Sequence, residues 1–203
     1  MKLIDPKDNL IANEWRKRHS LLDAETREKF DTFFKNNKPN DYQLKVIKRV
    51  RRKPVEGDIF VLSPREGVYF YGRVLKASIS HVSINSFTHG KHLVFIFRCQ
   101  SKEINIDAFN PNYEEILIRP AIVDDSYWSR GYFFTIGNEP INDEERGLDI
   151  GFYNVMTGKF FTESGVEMDH RPKFLGIEGI ATIIGIAMEV NEELIIDPEL
   201  INR

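Results

Sequence analysis

The residues of this 203-residue chain whose types suit chemistry are few and scattered. His89, His92 and Cys99 all ligate metals, and the "HGKH" spacing brings two imidazoles close, but a structural zinc site needs about four ligands in recognisable pairs. Cys99 beside a histidine would make a nucleophile pair. A lone cysteine ending an apolar strand reads instead as a small core residue. No G-x-S-x-G, P-loop or dinucleotide fingerprint occurs in the sequence. The expectation is a protein with no catalytic, cofactor or metal site. A hydrolase that gathers carboxylates from distant positions is the competing enzyme reading.

Two charged stretches remain. The run "KVIKRVRRK" carries Lys45, Lys48, Arg49, Arg51, Arg52 and Lys53, six cations in nine residues, and would suit phosphates in a nucleic-acid-binding regulator. It has no interleaved aromatics for base stacking, so a solvated face is preferred and no specific nucleic-acid partner is expected. The stretch "NEPINDEERGLD" sets Glu139, Asp143, Glu144, Glu145 and Asp149 against the single cation Arg146. Read functionally, it is an electrostatic surface for a basic partner, where charge accelerates encounter and rejects wrong partners; read structurally, it is an exposed loop. Just before it, "DDSYWSRGYFF" holds Tyr127, Trp128 and Tyr132. Aromatic anchors beside charges are the composition of a binding hot spot, with a core-capping role for Trp128 as the alternative. The expected partner-binding residues are therefore Tyr127, Trp128, Glu139, Asp143, Glu144, Glu145 and Asp149.

These groups need elements to position them. At 41% hydrophobic and 29% charged, the chain can bury a sizeable core. Residues 1–54 carry 15 Lys/Arg against 8 Asp/Glu, a net +7, and residues 55–203 carry 13 against 23, a net −10. The split predicts two parts meeting at Pro54, a basic helical segment (1–54) and a β-rich domain (55–203). Helices are predicted from "DPKD" to about Arg18, from about Asp23 to the "NNKPN" break, and from about Asp41 through the basic run. In the last, Tyr42, Val46, Ile47 and Val50 form one face, with the cations behind.

From Val55 the period becomes that of strands. "DIFVLS" and "VYFYGRVLKA" flank a "PREG" turn, and "HLVFIFRC" reads as a strand buried on both faces. Further strands are "EILIRPAIV", "GYFFTIG" and the pair "IGFYNV" and "KFFTES". Together they predict an α+β fold, a strongly curved sheet or small barrel following the N-terminal helices. Residues 176–190 read as a buried C-terminal helix despite three glycines. With no run of roughly 18 apolar residues, no signal-like start and one cysteine, the expected setting is cytoplasmic, away from membranes.

The opening strands add a resemblance. Gly57, Asp58, Phe60, Pro64, Tyr69, Gly72 and Val74 are similar to the leading hairpin of the immunity protein 26 family of bacterial polymorphic toxin systems. Ile136, Gly137, Asn138 and Pro140 resemble its downstream strand. The resemblance covers about residues 55–140. It implies a non-enzymatic protein that neutralises a cognate toxin protein by binding it. A nuclease is one such toxin, since an acidic loop would take the place of phosphates in its basic cleft. The Gly57, Asp58 and Phe60 motif then reads as structural: a turn opening, a turn-capping carboxylate and a core ring. The basic residues before Pro54 depart from the family's short start.

Overall fold

A computed structural model describes residues 3–36 and 38–201. Asn9 caps the first helix, α1 (Leu10–Ser20), by accepting from the Ala12 N–H at 3.1 Å, while the preceding "DPKD" forms only a 3-10 turn. Asp23 does the same for α2 (Ala24–Asn36), accepting from the Thr26 N–H at 2.9 Å. Phe30 of α2 is buried against Trp15 and His19 of α1, and Phe33 reaches the main core.

The third helix is a correction. Only α3 (Pro39–Tyr42) is helical, and residues 43–53 run extended as a strap. Its main-chain N–H groups are taken by the rest of the fold: Lys45 donates to Ser63 O at 2.7 Å, Ile47 to Gly131 O at 2.8 Å and Val50 to Trp128 O at 3.1 Å. The inward residues Leu44, Ile47 and Val50 recur every third position, a spacing that an extended chain shares with a helix. A helix would also have stacked Lys45, Lys48, Arg49 and Arg52 at three- and four-residue spacing, where like charges repel. Tyr42 and Leu44 join the same apolar cluster as the strands, so the core crosses the expected boundary at Pro54.

The strands β1 (Asp58–Arg65), β2 (Val68–Lys76), β3 (His92–Ser101), β4 (Ile116–Val123) and β5 (Phe134–Asn138) form an antiparallel sheet in the order β4-β3-β2-β1-β5. It remains open, with β4 and β5 at its edges. Between β4 and β5 lies one helical turn, α4 (Ser126–Ser129), and after β5 another, α5 (Asp143–Arg146). A smaller sheet follows, β6 (Ile150–Tyr153), β7 (Phe160–Phe161), β8 (Glu167–Met168) and β9 (Phe174–Ile177), with β6 and β9 parallel.

Both faces of the large sheet are covered. On β3, Val94 and Ile96 face a cluster with Phe60, Phe70, Trp128 and the C-terminal helix, whereas Leu93, Phe95 and Phe97 face Phe152 and Phe174 of the small sheet. This explains the unbroken apolar run of β3: a strand buried on both sides has no polar face to alternate with. That helix, α6 (Ile183–Ile196), begins where the Thr182 hydroxyl accepts from the Gly185 N–H at 3.0 Å. The stretch 176–190 is therefore divided, its first residues finishing β9 and its last forming α6. No helix among the described residues is long and apolar enough to cross a membrane.

Candidate partner-binding surface

The acidic stretch is held at the surface by one buried ion pair. Asn142 and Glu145 close a reciprocal cap on α5, Asn142 accepting from the Glu145 N–H at 2.9 Å and Glu145 from the Asn142 N–H at 3.0 Å. The cap turns Glu145 inward onto Arg73 of β2, and the two side chains are only 4% and 3% exposed. The Arg73 guanidinium donates to Glu145 Oε2 at 3.0 Å, to the Glu139 and Pro140 carbonyls at 3.2 Å and to the Gly57 carbonyl at 3.3 Å. Tyr113 adds its hydroxyl to Glu145 at 2.7 Å. Burial pushes the Glu145 carboxyl up, but Arg73, the Asn142 N–H and Tyr113 outweigh it and hold it below the ordinary carboxylate range. For Tyr113, burial and this carboxylate push the phenol up.

The outward side chains of this rigid turn are Glu139, Asp143 and Glu144, all exposed. Asp149 lies at its far end, half-exposed, accepting from the Lys173 N–H at 2.9 Å and pairing with His170 at 3.0 Å. That pairing, with the Lys173 N–H, lowers its pKa. Glu145 does not belong to the exposed set. Neither do Tyr127 and Trp128, each 1% exposed. Trp128 packs edge-on against Phe60 and Phe133 and donates to Thr135 at 3.0 Å, while the Tyr127 hydroxyl bonds the Ala181 carbonyl at 2.8 Å. The aromatic anchors expected at an interface are thus core residues: α4 points them inward, a direction that composition does not encode.

His92 is buried with both ring nitrogens engaged, Nε2 with Asp125 at 2.8 Å and Nδ1 with the Ser78 N–H at 3.3 Å, so neither is free as a base. His89 Nδ1 accepts from the His81 N–H at 3.3 Å. Burial raises the pKa of the Cys99 thiol. Among the described residues no group of three or more His, Cys, Asp or Glu is placed to hold a metal.

The hairpin motif that opens the β-rich part and the later Ile-Gly-Asn strand meet in space. Gly57 adopts φ +83°, and a Cβ there would lie 2.1 Å from the Glu139 carbonyl, so glycine is required by both conformation and contact. Asp58, fully buried, caps the Val55 N–H at 3.1 Å and also accepts from Arg52 at 2.9 Å and Asn138 at 3.0 Å. Asp58 pairs with Asn138 and Ile59 with Gly137 across β1 and β5. A family model described as Immunity protein 26 matches residues 55–160. The chain belongs to the immunity protein 26 family. The match spans β1 to β6 and ends at the first residue of β7; it includes the Arg73–Glu145 anchor and the acidic turn and leaves α1 to α3, β8, β9 and α6 outside it. Comparison with curated proteins and with solved structures found no match.

Proposed function

We propose that this protein neutralises a cognate toxin domain by binding it, without catalysing a reaction, and that Glu139, Asp143 and Glu144 form part of its docking surface, with Asp149 at the rim. The observation that carries this reading is the family match over residues 55–160. The geometry supports it. A turn already fixed by Arg73 loses little further freedom on binding, and its exposed carboxylates attract a basic partner before contact. A nuclease cleft lined with cations for phosphates is a suitable target.

Neutralisation requires only that the complex outlast the toxin's opportunity to act, so a slow dissociation rate suffices. The regulator reading loses its main support, because the six cations lie on an extended strap and not on a recognition helix. The test is co-expression with the toxin domain encoded beside this chain, together with association kinetics on an inactivated form of that toxin. Reversing Glu139, Asp143 and Glu144 to lysine should slow association about tenfold at low salt and flatten its salt dependence. Glu145 is left unchanged, since its reversal would break the core. No protection and no complex with the unaltered protein would overturn the reading.

A further inference from the structure

The extended strap carries a concentration of charge that the fold does not neutralise. Among the described residues, Lys45, Arg49 and Arg51 make no hydrogen bond or ion pair through their side chains, and all three are exposed. Lys48 rests over the Phe134 ring at 5.3 Å, and Arg52 and Lys53 are tied to Asp58 and Asp125 while staying 58% and 80% exposed. Holding like charges side by side costs stability, and here they are fixed by three main-chain hydrogen bonds instead of being free to spread.

The strap also ends at the acidic turn. A continuous chain of contacts leads from one to the other: Arg52 to Asp58, Asp58 to Asn138, Asn138 to the Glu56 carbonyl at 3.0 Å, then Arg146, which is 3.9 Å from both Glu56 and Asp143. Beside this junction Val55, which lies between Arg52 and Glu56 in the chain and donates its N–H to Asp58, exposes 44% of its surface. Charge at the rim with apolar contact inside is the layout of a specific interface.

We propose that the toxin docks across this junction, presenting carboxylates to the strap and cations to the turn. The inference rests on the proposed immunity function and deepens it. It selects a partner whose docking face holds both signs side by side. A metal-dependent nuclease cleft has that layout, since its carboxylates hold divalent cations next to the basic groups that hold phosphate. The guanidinium groups of Arg49 and Arg51 would then stand in for the metal, and Asp143 and Glu144 for the phosphate.

The test compares Lys45→Glu/Arg49→Glu/Arg51→Glu with the unaltered protein in binding the inactivated toxin domain encoded beside this chain. Because reversal could disturb the fold, Arg49→Gln/Arg51→Gln is measured alongside, and thermal unfolding is followed for both. The expected result is association slowed about tenfold by the reversal and less by the neutral pair, at unchanged melting temperature. Millimolar Mg²⁺ should also weaken binding, by competing for the toxin's carboxylates. Undiminished association of the reversed strap would overturn the junction as the docking site while leaving immunity standing. So would a strap whose reversal abolished binding to duplex DNA, or self-association of this chain, but not to the toxin. Absence of any complex with the unaltered protein would overturn both.

Discussion

The Arg73–Glu145 pair makes the most exacting prediction. Removing one partner of a buried ion pair leaves an uncompensated charge and costs roughly 3–5 kcal/mol. For Glu145→Gln the three carbonyls that also accept from Arg73 soften the loss, and glutamine still reaches the Asn142 N–H, so the low end applies, about 3 kcal/mol. For Arg73→Ala the carbonyls of Gly57, Glu139 and Pro140 lose their donor together with Glu145, so the high end applies, about 5 kcal/mol. At about 2–4 °C per kcal/mol for a chain of this size, melting should fall by roughly 6–12 °C and 10–20 °C. The assay is thermal unfolding by circular dichroism, with urea titration as a second measure.

A double replacement, Arg73→Met with Glu145→Leu, removes both charges and should cost clearly less than the two single losses combined. The pH dependence has a definite sign. Glu145 is depressed in the folded state, so its contribution is fully present above the ordinary carboxylate value of 4.5 and is lost as pH falls through the lower folded value. Glu145→Gln should therefore flatten the acid limb of the stability curve and leave the neutral region parallel to that of the unaltered protein. Single replacements that shift melting by less than about 2 °C, or a double replacement equal to their sum, would refute the anchor.

Two further outcomes follow from burial. Trp128→Ala should cost about 3–5 kcal/mol in stability and lower melting accordingly, with association per folded molecule unchanged, because the ring is in the core and not at the surface. Glu192 on α6 has its carboxyl pushed up to about 7 by burial and by neighbouring Glu189 and Glu193, so the contribution of this group to stability should be lost as pH rises from 4.5 to about 7. Glu192→Gln should thus raise the melting temperature at pH 8 and change little at pH 4.5; equal effects at both would contradict the assignment.

The sequence made the strands legible because burial dictates their pattern directly. The apolar run of β3 is the signature of a strand with a packed layer on either side, and the structure places one on each. The resemblance of Gly57, Asp58 and Phe60 to a structural motif was also legible, since a turn at positive φ, a buried capping carboxylate and a ring need those residue types. The strap and α4 were not. A three-residue apolar spacing does not distinguish a helix from an extended segment whose N–H groups find partners 18 and more positions away, at Ser63, Trp128 and Gly131. The direction of Tyr127 and Trp128 depends on how one short helical turn meets the sheet. Glu145, one of several adjacent acids, is distinguished by Asn142, three residues before it, with which it closes the cap, and by Arg73, 72 residues earlier in the chain.

The same gap between composition and geometry bears on how a partner perceives this protein. Counted along the chain, positive charge lies before Pro54 and negative charge after it, which suggests two surfaces in different surroundings. The fold instead brings the end of the basic strap and the acidic turn to one junction through Arg52, Asp58, Asn138, Glu56 and Arg146. At physiological salt, fields fade over about 8 Å, so an approaching protein responds to local charge and not to the totals of the two halves. A uniformly basic partner would be drawn to the turn and repelled by the strap. Only a partner carrying both signs in the matching order gains from both, and that requirement sets specificity where a simple acidic patch would set affinity alone.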